Sequence, residues 1–277
     1  MPVVTSKDGT EIAYSRVGDG PALIIVCGAT QFRAFDPNLA VLANLLAPSH
    51  TVITYDRRGR GESGNTLPFS PARELEDIAA LIDAAGGHAS LLGYSSGSVV
   101  ALEAAASGLP VDKLVMYEPP FVLPGQPFPP PPADYVATLE GFTAKGDDGA
   151  SAEYFMHSVG MPREMIEGAK QSPMWPLMMS IGPTIAYDGH FMFDGYYAAG
   201  EFPERWKKAT MPVLVLNGDA SFPFMPAAAD AVAAVLPDAT RRTLAGQDHG
   251  PKPDVLAPVL EEFLADTSTG QLTQPVR

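Results

Sequence analysis

Short continuous runs of apolar, often β-branched residues alternate with longer segments of helical apolar spacing, and this alternation constrains the chain more than any other feature. ALIIVCG (22–28) and HTVITYD (50–56) are β-branched-rich runs that are continuous rather than alternating, as expected for strands covered on both faces, and TEIAYSRV (10–17) adds a third strand. DPNLAVLANLLAPSH reads as a helix between the two continuous runs. The order then repeats. PARELEDIAALIDAAGG is a helix stopped by glycines, ASLLGYS a strand, SGSVVALEAAASGLP a helix and VDKLVMYE a strand. Strand–helix units in series predict an α/β fold with a mainly parallel sheet covered by helices on both sides.

The alternation stops after Pro119. Residues 118–135 hold eight prolines in eighteen positions, too many for a central strand or a helix interior, so this stretch reads as an extended linker. From about 133 to 205 the chain is helical in places and carries seven of the eleven methionines together with many aromatic residues. MPVLVLNGD (211–219), PAAADAVAAVL, ATRRTLAG and VLAPVLEEFLAD then resume the strand–helix order. The expected division is a first core part at 1–119, an inserted mostly helical segment at 120–205, a second core part at 206–265 and a flexible tail at 266–277.

Composition narrows the partners. Eighteen basic against thirty-two acidic residues give a net charge of −14, which disfavours nucleic acid and anionic membrane. A chain of 277 residues at 46% hydrophobic content can bury a large core. The lone Cys27 excludes an internal disulfide framework, and no secretory leader or membrane-length apolar run is read. A soluble, cytoplasmic protein acting on a small molecule is expected, with oligomeric state unread.

Gly93-Tyr94-Ser95-Ser96-Gly97 fits G-x-S-x-G. The motif is weak alone, since a serine in a glycine turn is common. Here it lies where a buried strand gives way to a helix, the context in which the turn lifts a serine hydroxyl to the carboxyl edge of a sheet as a nucleophile. The N–H of Ser96 then sits at a helix N-terminus, able to donate to a developing oxyanion.

Four stretches together make the sequence resemble the α/β-hydrolase fold family over nearly its whole length: GYSSG, YDRRGRGES (55–63), IIVCGAT (24–30) and GQDHGP (246–251). The resemblance implies the α/β-hydrolase fold with an inserted helical cap. It also implies Ser95 as nucleophile, His249 as the base that a serine hydroxyl needs, and the N–H groups of Ala29 and Ser96 as oxyanion donors. Cys27 stands where the family usually has histidine, and reads as a small buried residue rather than a second nucleophile. Arg58 and the glycines around it read as structural.

The orienting acid departs from the family. Its usual position, three residues after Gly218, is Ser221. Glu118, ending the strand after the elbow helix, matches branches that carry the acid there, such as one subgroup of haloalkane dehalogenases and the zearalenone lactonases; Asp219 is the alternative. A serine nucleophile implies acyl transfer, so the expectation is hydrolysis of a medium-sized apolar ester or lactone. Thioester, amide or C–C hydrolysis by the same triad, and a non-catalytic binding protein of the same fold, remain open. Tyr94, Trp175, Met178, Phe191 and His190 are candidates for the substrate pocket, with the inserted segment's own core as the competing use of the last four. No metal or organic cofactor is read, because no His/Cys cluster has ligand spacing and no G-x-G-x-x-G opens a helix.

Overall fold

The structure is a computed structural model that describes residues 2–193 and 201–265. Eight strands form one sheet: β1 (Val3–Thr5), β2 (Glu11–Val17), β3 (Ala22–Val26), β4 (Thr51–Tyr55), β5 (Ala89–Tyr94), β6 (Val111–Tyr117), β7 (Val213–Gly218) and β8 (Ala239–Leu244). Their order is β1-β2-β4-β3-β5-β6-β7-β8, antiparallel at β1/β2 and β2/β4 and parallel from β4 onward. The expected mainly parallel sheet is present. β1, three residues long, is an addition that its shortness hid.

Every residue of β3, β4, β5 and β7 is buried, which is why these strands read as unbroken apolar runs. The period of two divides them between two cores. Ile24, Val26, Leu91 and Met116 face α2 (Pro71–Ala85), α3 (Ser96–Ala106) and α9 (Met225–Val235). Leu23, Ile25, Leu92 and Val115 face α1 (Asn38–Leu46) and α10 (Pro253–Ala265). All eleven residues of α3 are buried, so the helix following the elbow has no free face to shift along. Pro71 opens α2 and Gly86, with φ of 114°, closes it, matching the glycine stop read from sequence.

Between β6 and β7 lie α4 (Tyr135–Ala144), α5 (Asp148–Ser158), α6 (Arg163–Lys170), α7 (Trp175–Ser180) and α8 (Ile185–Met192). They share a small core of Tyr135, Leu139, Ala152, Ile181, Ile185 and Ala186, into which Phe32 inserts from the loop after β3. The flexible-tail expectation for 266–277, and Tyr196 and Tyr197 among the aromatic residues of the 133–205 segment, lie outside the described residues.

Candidate active site

Ser95 occupies the turn between β5 and α3 with φ of 50° and ψ of −127°, a left-handed backbone that a residue with a Cβ rarely adopts. The glycines around it are required by contact. A Cβ at Gly93 would strike the Cα of Ser98, and one at Gly97 would strike the carbonyl oxygens of Val26 and Cys27. The Ser95 N–H donates to the Tyr117 carbonyl at 2.8 Å, tying the turn to the neighbouring strand.

On that neighbouring strand's end stands Glu118, fully buried and also in left-handed backbone, with φ of 51°. Its Oε1 accepts from the Gly218 N–H at 2.9 Å, and its Oε2 accepts from the Ser221 hydroxyl at 2.7 Å. Oε2 also lies 2.6 Å from His249 Nδ1. A carboxylate so placed is an acceptor, so Nδ1 is the donor of this pair and Nε2 is the ring nitrogen left for another partner. His249 sits on the loop between β8 and α10. That loop is held by Tyr117, whose hydroxyl donates to the Asp248 carbonyl at 2.5 Å, and Phe222 meets the imidazole edge-on at 5.7 Å between ring centroids.

Asp219 lies elsewhere: it is exposed, and its Oδ1 accepts from the Gly246 N–H at 2.6 Å. The remaining histidines also make other contacts or lie exposed. His50 pairs with Ser49, His88 with Asp112 and His190 with Glu140, while His157 is exposed.

Ser95, Ser96, Ala29 and His249 open onto one cavity of about 610 Å³. The loop carrying Ala29 is pinned from behind. Arg60 Nη1 donates to the Gly28 carbonyl at 2.7 Å and Arg57 Nη1 to the Cys27 carbonyl at 3.2 Å, while Gln31 accepts from the Gly28 N–H. Because a trans peptide points its C=O and N–H in opposite directions, fixing the Gly28 carbonyl toward Arg60 fixes the Ala29 N–H away from it. Cys27 is fully buried, and burial pushes its thiol up to about 12, which leaves no thiolate for nucleophilic work near neutral pH.

Of the pocket candidates, Tyr94 and Met178 reach the cavity wall. Among the described residues Trp175, His190 and Phe191 do not. Trp175 is half-buried against the core of the inserted helices, Phe191 belongs to the α2/α3 side of the main core, and His190 lines a smaller cavity beside Pro71 and Glu103. Composition gave the right segment but not which side each helix presents to the cavity. The proline-rich stretch is more than a linker: Phe121, Phe128 and Pro130–Pro132 form one side of the cavity. Residues the sequence did not single out include Phe222, Phe224 and, most unexpectedly, Asp188, a buried carboxylate in the apolar helix α8 that also reaches the cavity. Among the described residues no cluster of three His, Cys, Asp or Glu could hold a metal ion, and no helix is long and apolar enough to cross a membrane.

The sequence model of the alpha/beta hydrolase family matches residues 23–259. A solved alpha/beta hydrolase from Sphaerobacter thermophilus is 43% identical, covers 95% of this chain and 100% of its own, and superposes with a TM-score of 0.85. At greater distance the same fold recurs in a thermophilic esterase from Thermogutta terrifontis (19% identity, 95% and 97% coverage, TM-score 0.70). It recurs too in an enol-lactonase from Burkholderia xenovorans (16% identity, 96% and 100% coverage, TM-score 0.68).

Proposed function

The chain belongs to the alpha/beta hydrolase family, and from that premise we propose that it is a serine hydrolase cleaving a medium-sized apolar carboxylic ester or lactone through an acyl-enzyme. The observation that carries this reading is the 2.6 Å contact between His249 Nδ1 and the buried Glu118 carboxylate, at a cavity that Ser95 shares. That contact orients an imidazole at the cavity, which proton transfer requires and binding alone does not.

In this reading Ser95 Oγ passes its proton to His249 Nε2 as it attacks the carbonyl carbon. The N–H groups of Ala29 and Ser96 receive the resulting oxyanion, a contribution of about 10² to 10³ per donor. The tetrahedral intermediate collapses as the leaving alcohol takes the proton from His249, and water activated by the same imidazole releases the acid. Glu118 holds the ring and balances the imidazolium.

The substrate class rests on the cavity. Its volume lies within the range of about 300–1,000 Å³ usual for small-molecule sites. Its wall is built from Phe, Met, Tyr and Pro side chains, and Asp188, its one carboxylate among the described residues, is already engaged by two guanidinium groups. An uncharged, apolar acyl or alcohol part suits such a wall. The helices between β6 and β7, within 120–205, act as a cap that selects it, and the lone buried cysteine accords with a cytoplasmic setting.

Labelling by a fluorophosphonate probe, present in the wild type and lost in Ser95→Ala, tests the chemistry. A panel of esters, lactones and thioesters graded by size identifies the bond. Absence of labelling in the folded wild-type protein would overturn the reading.

A further inference from the structure

Asp188 joins elements far apart in sequence. Its Oδ1 accepts from Arg57 Nη1 and from the Ser96 hydroxyl, each at 2.6 Å, and its Oδ2 accepts from Arg60 Nη2. Arg57 is also gripped by Glu74, Nε to Oε2 at 2.6 Å and Nη2 to Oε1 at 2.7 Å. Arg60 reaches the Thr184 hydroxyl through Nε. Glu74, Arg57, Arg60, Ser96, Thr184 and Asp188 are all buried, and two cations face two anions. Burial pushes the Asp188 carboxyl up, but Arg57, Arg60 and the hydrogen bonds outweigh it and hold the group below its ordinary value.

A buried ion cluster of this kind contributes little net stability over well-packed apolar side chains, because desolvation offsets the attraction. What it does contribute is registry. One carboxylate fixes the side chain of Ser96, whose N–H begins α3. The same carboxylate holds the two guanidinium groups that grip the carbonyls of Cys27 and Gly28, and through the second of these sets the direction of the Ala29 N–H.

We propose that Asp188, carried by the inserted helix α8, is a positioning residue that aligns both oxyanion donors, so that the hole is complete only when this helix is seated on the sheet. The inference rests on the serine hydrolase reading above. It makes the inserted segment part of the catalytic alignment as well as the pocket wall, and it polarises the Gly28–Ala29 peptide through the charge-assisted bond from Arg60.

The test compares wild type, Asp188→Asn and the paired variant Arg60→Met/Asp188→Leu, which removes one charge of each sign and so leaves no unpaired buried charge if Asp188→Asn fails to fold. kcat and KM are measured on an uncharged aryl ester, alongside the affinity for a trifluoromethyl ketone, which places an anionic oxygen in the hole once Ser95 adds to it. The expected result in each folded variant is a kcat lowered about 10- to 100-fold, a KM within about threefold, and ketone affinity lowered in step with kcat. A folded variant that keeps kcat and ketone affinity within about threefold, or raises KM with kcat unchanged, overturns the inference while leaving the hydrolase reading intact. A wild type that neither reacts with a fluorophosphonate nor hydrolyses the ester overturns both.

Discussion

The hydroxyl of Ser221 donates to Oε2 of Glu118 at 2.7 Å, so the position that the family usually fills with a carboxylate instead supports a carboxylate arriving from the adjacent strand. Glu118 and Gly218 end neighbouring parallel strands, and the Gly218 N–H bond to Oε1 fixes the carboxylate's other oxygen. A carboxylate at 221 would face Glu118 across hydrogen-bond distance, and two like charges there would oppose each other's ionisation.

Glu118→Gln is therefore expected to lower kcat on an aryl ester by about 10³ or more, the loss typical when a triad carboxylate is neutralised. Asp219→Asn, which touches the Gly246 N–H rather than His249, is expected to leave kcat within about threefold. Steady-state kinetics on both variants checks the pair, and the opposite ranking would assign the acid to Asp219.

Tyr117→Phe removes the donor that holds the Asp248 carbonyl, next to His249. The expected cost is about 1 kcal/mol in stability, the net worth of one hydrogen bond, read by urea denaturation. The expected loss in kcat is about tenfold, because the imidazole is then less firmly aimed. A kcat equal to that of wild type would show that the loop needs no such anchor.

Two glycine-to-alanine changes separate close approach from mere backbone freedom. Gly97→Ala sets a Cβ against the carbonyls of Val26 and Cys27 and is expected to cost about 3 kcal/mol or more. Gly141→Ala, inside α4 with nothing within 4 Å of the added Cβ beyond its chain neighbours and the helix backbone itself, is expected to stabilise by about 0.5–1 kcal/mol. Thermal melts of both variants provide the comparison.

Acid sensitivity has a specific contributor in Asp8. Burial pushes its carboxyl up, but hydrogen bonds from Arg58 and Thr10 outweigh this and hold it well below the usual carboxylate range. Its folded pKa is depressed, so the stability it adds is present above the unfolded value of about 3.9 and is lost as pH falls toward the folded one. Asp8→Asn is thus expected to destabilise most near pH 6, and the gap to wild type should shrink as pH is lowered below 4 in paired denaturant titrations. A gap that stays constant would mean that the carboxylate's charge is not what counts.

The sheet and its flanking helices were legible because burial on both faces writes itself as unbroken apolar runs, and burial on one face as helical spacing. β1 was not, since three residues carry no period. The strand-to-helix turn at Ser95 was legible because it has its own residue requirements, His249 was picked out only by the family resemblance of the stretch around it, and Glu118 stood out as a charge ending an apolar strand. Asp188 left no comparable mark. Its partners Arg57 and Arg60 lie 131 and 128 positions away, and a single acid in an apolar helix reads as an ordinary exposed residue. Trp175, Phe191 and His190 fail to reach the main cavity for a related reason: composition tells which helix is apolar, while the side it presents depends on how that helix docks.

Ser95 is held in left-handed backbone that glycine would occupy without strain, at a cost of about 1–3 kcal/mol for the residue that is there. A lineage kept only for thermal robustness would therefore drift toward glycine at this site and end as a sturdier, inert molecule. On the serine hydrolase reading, the hydroxyl at position 95 is held there at the expense of endurance.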